Sequence, residues 1–346
     1  MNATHLRVSL VAAVMGMSVV AGCDRRRFFV ETGAGEPGVI PTGVKLAAPR
    51  GLAMFSGHTA GKVSWDDVRA AMEWADVILV GEQHNDAVAH QVELALVSDA
   101  VRLAPPAGVS MEMFERDEQT VVDSYLAGRI SQAELVEKTG SANWGAKGKW
   151  GDWYQPIVDA AREARMPVIA ANSPRKYVKT ARTEGYGVLW AKPPAQRKHY
   201  FIPPRILTGP YADRFMRIMS HHAAPTKSRK PKSATTRPAK RRTPKRKIDP
   251  DAFFRAQLMW DATMAGSIAE GLDNGLAKVI HIVGQFHIDF DGGTVQYLLD
   301  KKPDLKILTI SLQNASAREL RTEDRKRADV VIYTKTESQE DNKSAE

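Results

Sequence analysis

Short, uninterrupted apolar segments recur along the chain and are separated by longer stretches with helical periodicity. Such segments are typical of strands that are buried on both faces, and intervening helices allow parallel connections between them. The apolar segments are 76–80, 107–112, 167–172, 278–283, 306–311 and 329–333. Helical patterns cover 86–103, 116–127, 153–165, 174–184, 210–220, 250–272 and 292–301. This alternation predicts an α/β fold with a largely parallel central sheet and helices on both faces.

The first residues have the three parts of an export signal. Arg7 gives a positive start, residues 8–22 are apolar, and small residues precede Cys23. The apolar stretch is too short to span a bilayer, which needs about 20 such residues. Because Cys23 is the only cysteine, we interpret the segment as a lipoprotein signal that directs lipid to this thiol, with an uncleaved anchor helix as the alternative. Disulfides within the chain are excluded.

Composition divides the chain into segments. We predict a signal peptide over 1–22, a lipidated cysteine and Gly/Pro-rich tether over 23–62, an α/β domain over 63–335 and a disordered tail over 336–346. A disordered basic insertion at 225–249 interrupts the domain. The expected location is the bacterial cell envelope, where the lipid would anchor the protein to the inner or outer membrane, on the periplasmic or the surface side.

The net charge of +9 is concentrated in that insertion. Residues 227–247 contain 11 lysines and arginines and no acidic residue, so the rest of the chain is nearly neutral. The run has no aromatic residue and three prolines, and it cannot form a buried core. We expect contact with anionic lipid head groups or anionic surface polymers, and no specific nucleic acid. A solvated loop without a partner is the alternative.

Polar residues follow several of the predicted strands. Ligands of open parallel sheets bind outside the carboxyl ends of the strands. Two Gly-x-x-His turns, at 81–84 and 284–287, follow two different strands and should bring His84 and His287 to one rim. We expect Gly81 and Gly284 to leave the strands at positive φ and to let the main chain approach a ligand closely. A neutral imidazole would offer its nitrogen to a metal ion or a proton.

Carboxylates and further polar groups complete the predicted cluster. Glu82 and Glu112 stand at strand ends, where we expect burial to raise their pKa and so permit acid–base chemistry near neutral pH. Asn172 ends another strand. Further candidate ligands stand on helices and are His90, His221 and His222. For each of these three, a surface histidine is the alternative.

One predicted helix carries candidate supporting residues. Gln257 and Asp261 lie four residues apart on one of its faces, from which they would hold the rim histidines through hydrogen bonds. A helix that only packs is the alternative. The aromatic residues between 144 and 154 predict a core plug.

Several motifs follow one another between residues 76 and 300. They are Gly81-Glu82-Gln83-His84 with His90, Glu112-Met113-Phe114 with Gln119, Trp153-Tyr154-Gln155-Pro156, Ala171-Asn172-Ser173-Pro174-Arg175, His221 or His222, Ala256-Gln257 with Trp260-Asp261 and Met264-Ala265, and Gly284 with His287. This set resembles the ChaN-type haem-binding lipoproteins, within a superfamily that also includes Tiki metalloproteases, TraB proteins and erythromycin esterases. The chain departs from the family in its basic insertion and in the residues between Gly284 and His287.

The resemblance implies a lipid-anchored envelope protein that binds haem and serves iron acquisition. It also implies that a tyrosine holds the haem iron and that histidine assists. Tyr154 lies in a matching motif, and the other tyrosine candidates are Tyr125, Tyr177, Tyr186 and Tyr211. The residues expected to support the ligand are Asn172, Arg175, Gln257, Asp261, Gly81 and Gly284.

Two functions are consistent with the residues themselves. The first is a haem-binding protein without turnover, which the resemblance favours. The second is a metal-dependent hydrolase, in which a divalent ion held by His84, His287 and a carboxylate activates water while Glu82 or Glu112 acts as base. A third, weaker hypothesis is an adhesion or scaffolding protein that acts through the basic insertion. The sequence leaves the oligomeric state open, a homodimer included.

Overall fold

The computed structural model describes residues 49–223 and 249–335, with the backbone alone for 221–223. Its centre is a seven-stranded sheet with helices on both faces. The strands are β1 (Ala53–Ser56), β2 (Val77–Glu82), β3 (Ala107–Glu115), β4 (Val168–Asn172), β5 (Lys278–Gly284), β6 (Ile307–Gln313) and β7 (Val330–Tyr333). The helices are α1 (Trp65–Trp74), α2 (Ala87–Ala100), α3 (Gln119–Leu126), α4 (Gln132–Thr139), α5 (Trp150–Trp153), α6 (Gln155–Glu163), α7 (Arg175–Glu184), α8 (Tyr186–Trp190), α9 (Pro194–Arg197), α10 (Pro210–Ala223), α11 (Pro250–Asp273) and α12 (Gly293–Lys301).

The strand order across the sheet is β1-β7-β6-β2-β5-β3-β4. Every neighbouring pair is parallel except β1 and β7, which are antiparallel. The predicted α/β fold with a largely parallel sheet is confirmed. All six predicted strands are present, because strands that are buried on both faces give continuous apolar runs.

Strand β1 was not predicted, because its four residues fall in the segment 23–62 that we assigned to the tether. Met54 and Phe55 of this strand are buried, and Phe55 pairs with Val331 of β7. The sheet therefore begins before Val63, where the sequence placed the start of the domain. Cys23, the basic run 227–247 and the tail 336–346 lie outside the described residues.

Alternate residues of β2 face different helical layers. Ile78 and Val80 belong to the core beneath α1, α2 and α6, whereas Val77 and Leu79 face the core beneath α11 and α12. Because side chains alternate along a strand, Glu82 continues the first of these two faces. On β3, Met111 faces the α2 side, so the next residue in the alternation, Glu112, turns towards α11.

The turn after β2 leads directly into a capped helix. Asp86 Oδ1 accepts hydrogen bonds from the backbone N–H groups of Val88 (3.0 Å) and Ala89 (3.3 Å), which fixes the start of α2. His84 is therefore held in a short turn between a buried strand and an anchored helix. Within the described residues, no helix combines the length and the apolarity that a membrane crossing requires.

Candidate functional site

Two groups of polar side chains meet at the carboxyl ends of β2, β3 and β5. The Glu82 cluster lies on the α2 side of the sheet and comprises Glu82, His84, His90, Glu93 and Tyr154. The His287 cluster lies on the α11 side and comprises Glu112, His287, Asp261, Gln257 and Tyr211. The predicted meeting of both Gly-x-x-His turns at one edge agrees with the pairing of β2 with β5, in which Glu82 lies opposite Gly284.

Glu82 is the centre of its cluster and is almost completely buried. Its Oε1 accepts hydrogen bonds from His84 Nδ1 (2.6 Å) and from the hydroxyl of Tyr154 (2.8 Å). The second oxygen, Oε2, lies 3.0 Å from His90 Nδ1. The side chain of His84 is 39% exposed. Its Nδ1 is thus committed to the protein interior, and its Nε2 is left for a ligand.

His90 lies beneath the rim and does not reach it. It is 2% exposed, and its ring stacks on Trp153 with centroids 4.6 Å apart. Its Nδ1 is 2.9 Å from Glu93 Oε2, and its Nε2 donates to the carbonyl oxygen of His84 at 3.3 Å. His90 is therefore neither a ligand at the rim nor the surface histidine that we gave as the alternative, because the i to i+3 spacing pairs it with Glu93 inside the protein.

The charges of the Glu82 cluster shift its protonation equilibria strongly. Burial raises the pKa of Glu82, but hydrogen bonds from His84 and His90 outweigh it and bring the pKa down to about 2. Burial lowers the pKa of both histidines, yet the hydrogen bonds to carboxylates raise it to about 9 for His84 and about 10 for His90. Burial and the neighbouring Glu82 charge raise the pKa of Glu93 well above its ordinary value.

These shifts correct one sequence prediction. We expected burial to raise the pKa of Glu82 into the range of a general base. The imidazoles of His84 and His90 lower it, so Glu82 is a permanent carboxylate that is too weak a base for proton abstraction near neutral pH.

The His287 cluster is a buried hydrogen-bonded chain. His287 Nδ1 donates to Asp261 Oδ1 at 2.7 Å, and the hydroxyl of Tyr211 donates to Asp261 Oδ2 at 2.5 Å. Gln257 Nε2 donates to the same hydroxyl at 3.2 Å. Burial lowers the pKa of His287, but the charges of Asp261 and Glu112 outweigh it and raise the pKa. His287 Nε2 faces Glu112, with 3.7 Å to Oε1.

Glycines allow the two turns to approach each other. The backbone N–H of Gly284 donates to Glu112 Oε2 at 2.7 Å, and a Cβ at this position would lie 3.0 Å from His84 Nε2. A Cβ on Gly81 would lie 2.8 Å from the side chain of Ile288. Neither glycine has a positive φ. The predicted close approach is thus present, but the expected left-handed backbone is not.

A row of three side chains, two of them half-buried, extends from the Glu82 cluster to α7. The ring of Trp144 lies 5.3 Å from the ring of His84, and the guanidinium of Arg175 lies 5.6 Å from the Trp144 centroid. The Arg175 side chain is 71% exposed. Trp144 is half-buried and packs against the core that contains the buried Trp150 and Tyr154, so it forms the outer edge of the predicted core plug. We call His84, Trp144 and Arg175 the rim row.

The remaining predicted residues stand apart from both clusters. Asn172 is buried, and its Oδ1 accepts a hydrogen bond from the backbone N–H of Ser173 at 2.9 Å. His221 and His222 lie in the last turn of α10, and their side chains are outside the described part. Two residues of the site were missed: Glu93, which the His90-x-x-Glu93 spacing could have indicated, and Trp144, for which the sequence carries no such signal.

Comparisons with known proteins support this assignment of the fold. The sequence profile of the family described as haem-binding uptake, Tiki superfamily, ChaN, matches residues 68–298. The solved structure of ChaN of Campylobacter jejuni, which binds haem cofacially, is 20% identical, with a TM-score of 0.55 over 81% of this chain and 96% of that chain. No curated protein gives a match.

Two solved structures are more distant. The type III effector HopBA1 is 12% identical, with a TM-score of 0.40 over 83% of this chain and 98% of that chain. An erythromycin esterase in its open conformation is 11% identical, with a TM-score of 0.39 over 76% of this chain and 77% of that chain. Since the family profile covers most of the sheet and both His-bearing turns, the chain belongs to the ChaN family of haem-binding uptake proteins within the Tiki superfamily.

Proposed function

We propose that the protein binds haem at the rim row and serves haem or iron uptake at the cell envelope, anchored by lipid on Cys23. The observation that carries the proposal is the contiguous row of an imidazole, an indole and a guanidinium at the carboxyl edge of the sheet. The family to which the chain belongs supports it.

The three side chains match three chemical parts of haem. His84 offers Nε2 as an axial donor, and its hydrogen bond to Glu82 fixes the ring and raises its basicity. Trp144 presents an aromatic face to the porphyrin. Arg175 offers a planar guanidinium to a propionate. When bound, the haem supplies an iron centre whose reduction potential depends on its axial donor.

The tyrosine ligand that the resemblance implies is constrained by the structure. The hydroxyls of Tyr125, Tyr154, Tyr186 and Tyr211 donate to Asp159, Glu82, the carbonyl of Arg255 and Asp261, respectively. Among all tyrosines of the chain, which all lie within the described ranges, Tyr177 alone makes no hydrogen bond through its hydroxyl, and its ring packs against Tyr200 at 4.6 Å. On this ground we keep Tyr177 as a candidate iron ligand, and its ring is buried in the core formed with α8 and α11.

Haem titration tests the proposal. Lipid-free protein that begins at residue 24 should develop a saturable Soret band at one haem per chain. His84→Ala should weaken binding by about tenfold or more, the equivalent of ~1.4 kcal/mol, and should change the band shape. His199→Ala, a histidine outside the rim row, is the matched control. Absence of a saturable spectral change would contradict the proposal, and a changed band in Tyr177→Phe would add tyrosine to the iron ligands.

Because the pKa of His84 is raised to about 9, iron that binds Nε2 must displace a proton. Haem affinity through this residue should therefore rise as the pH increases towards 9. This pH dependence should disappear in His84→Ala.

The His287 cluster supports a second candidate function, a metal-dependent hydrolase. Asp261 orients the imidazole of His287 through Nδ1, so that His287 Nε2 would hold a divalent ion together with His84, and Glu112 lies beside this nitrogen. Such an ion would lower the pKa of bound water to about 7. With Glu82 a permanent carboxylate, Glu112 is left as the base. Hydrolysis of a peptide or ester substrate that is lost in His287→Ala would support this function.

Lipid on Cys23 and the basic insertion would together hold the domain at an anionic membrane. Each basic residue near such a surface contributes about 1 kcal/mol. Replacement of residues 227–247 by an uncharged linker of equal length should reduce co-sedimentation with vesicles that contain anionic lipid. It should leave haem binding by the domain unchanged.

A further inference from the structure

We propose that Glu82, His90 and Glu93 form a second site, beneath the rim row, that binds one divalent first-row transition-metal ion. The site is separate from haem binding, because its ligand atoms are buried, whereas His84 Nε2 lies beside Gly284 on a side chain that is 39% exposed.

The distances within the cluster fit metal coordination. His90 Nδ1 lies 3.0 Å from Glu82 Oε2 and 2.9 Å from Glu93 Oε2, and the ligand atoms of all three residues lie within 4.8 Å of one another. Metal bonds to imidazole nitrogen and carboxylate oxygen are about 2.1 Å long, so two ligands at a right angle are about 3.0 Å apart. The observed separations correspond to adjacent corners of an octahedron.

Unsatisfied oxygens point into the cluster. Glu93 Oε1 is buried and has no hydrogen-bond partner among the described residues, and the buried Glu82 Oε2 has only the 3.0 Å ion-pair contact with His90 Nδ1, which it shares with Glu93. His90 Nδ1 carries at most one proton, and its hydrogen bond goes to Glu93. A buried carboxylate oxygen without a partner is costly, and a bound cation would satisfy both oxygens.

The surrounding hydrogen bonds orient each ligand towards the same point. His90 donates its other ring N–H to the carbonyl of His84, as metal-binding histidines generally do to a carbonyl or carboxylate. His84 and Tyr154 both donate to Glu82 Oε1 and leave Oε2 for the ion. Two carboxylates neutralise a divalent charge, so the buried site would carry no net charge.

The ligand set indicates the class of ion. One imidazole with two carboxylates suits Mn²⁺, Fe²⁺ or Zn²⁺, whereas Ca²⁺ prefers oxygen ligands alone. His90 and Glu93 are 2% and 0% exposed. The ion should therefore exchange slowly and should stabilise the contact between β2 and α2.

Metal analysis of the full chain tests the site. The protein is treated with EDTA under partly denaturing conditions, refolded with excess MnCl₂ or ZnCl₂ and desalted. The wild type should retain one ion per chain. Glu93→Gln, which keeps the size of the side chain and removes its charge, should retain at least tenfold less. Glu118→Gln, a partly buried glutamate outside the cluster, is the matched control and should retain the wild-type amount.

Two results would overturn the proposal: a wild type that retains neither ion, or a folded Glu93→Gln that retains as much as the wild type. If Glu93→Gln does not fold, X-ray absorption of the wild-type Zn²⁺ complex decides. One imidazole with oxygen ligands supports the site, and two imidazoles assign the ion to His84 and His287 and contradict it. The Soret titration of Glu93→Gln should be unchanged, so failure of haem binding and failure of this site are separable.

Discussion

At the scale of single residues, the buried carboxylate of Glu82 and the lack of a side chain at Gly284 together determine the orientation of the His84 imidazole. Glu82 Oε1 accepts a hydrogen bond from His84 Nδ1 at 2.6 Å. Gly284, on the neighbouring strand β5, leaves room beside His84 Nε2. A Cβ at position 284 would lie 3.0 Å from this nitrogen. The imidazole therefore presents one defined nitrogen to the rim, which is the condition for a specific axial ligand.

Gly284→Ala should weaken haem binding without unfolding the protein. The new methyl group must displace the His84 ring by a few tenths of an ångström, and a cost of about 1.4 kcal/mol would lower the affinity tenfold. Soret titration measures the affinity, and thermal unfolding should show little change. Gly187→Ala is the control, because a Cβ there meets nothing within 4 Å. Equal haem affinity in both variants would show that Gly284 does not position His84.

At the scale of elements, the connection from β3 to α3 contains a glutamate, Glu118, whose pKa is raised in the folded chain. In the one-turn helix Arg116–Glu118, Glu118 accepts a hydrogen bond from the backbone N–H of Glu115 at 2.7 Å. Burial raises the pKa of Glu118 to about 8 against that hydrogen bond, and the charges of Glu115 and Asp117 add to the rise. This turn directly follows the strand that carries Glu112.

The stability of the wild type should therefore fall as the pH rises. The pKa of Glu118 is about 8 in the folded chain and 4.5 in its ordinary state, so its contribution is complete below pH 4.5 and is lost as the pH rises through 8. Glu118→Gln, which carries no titratable group, should lack this part of the pH dependence. Urea unfolding between pH 5 and pH 9 measures it. Parallel curves for the two proteins would contradict the prediction, and Glu137→Gln on exposed α4 should follow the wild type.

At the scale of the whole molecule, β1 closes the sheet beside β7. It contributes Met54 and Phe55 to the buried cores, and Phe55 packs on Tyr333 with ring centroids 5.9 Å apart. Without β1, β7 would become an exposed edge strand with unpaired backbone groups.

A chain that begins at residue 49 retains all described residues before β1 and is the reference for testing this strand. A chain that begins at residue 63 should lose about 3 kcal/mol or more, since exposing each large apolar side chain costs about 1.5–3 kcal/mol. Circular dichroism during urea unfolding measures the difference. Equal midpoints for the two truncated chains would show that β1 is dispensable.

How far the sequence predicts the fold depends on how each element is buried. Strands β2 and β5 are buried on both faces and appear as apolar runs. The four residues of β1 follow a Gly/Pro-rich segment and carry no such signal. Helix α1 was missed although Ser64 and Asp67 form a capping box at its start, a pattern that is readable from the sequence. Helices α8 and α9, of five and four residues, are too short to give a periodic pattern and were also missed.

Some features of the site were likewise predictable from the sequence, whereas others required the tertiary structure. The sequence by itself determined that His84, His287, Glu82 and Glu112 meet at one edge, because parallel strands place their carboxyl ends together and the motifs stand at those ends. Only the tertiary structure decided that His90 pairs with Glu93 beneath the rim, that Glu82 remains charged and that Trp144 joins His84 to Arg175. These outcomes depend on distances across helices and loops and on burial, which determine how charges shift a pKa and which nitrogen of an imidazole reaches solvent.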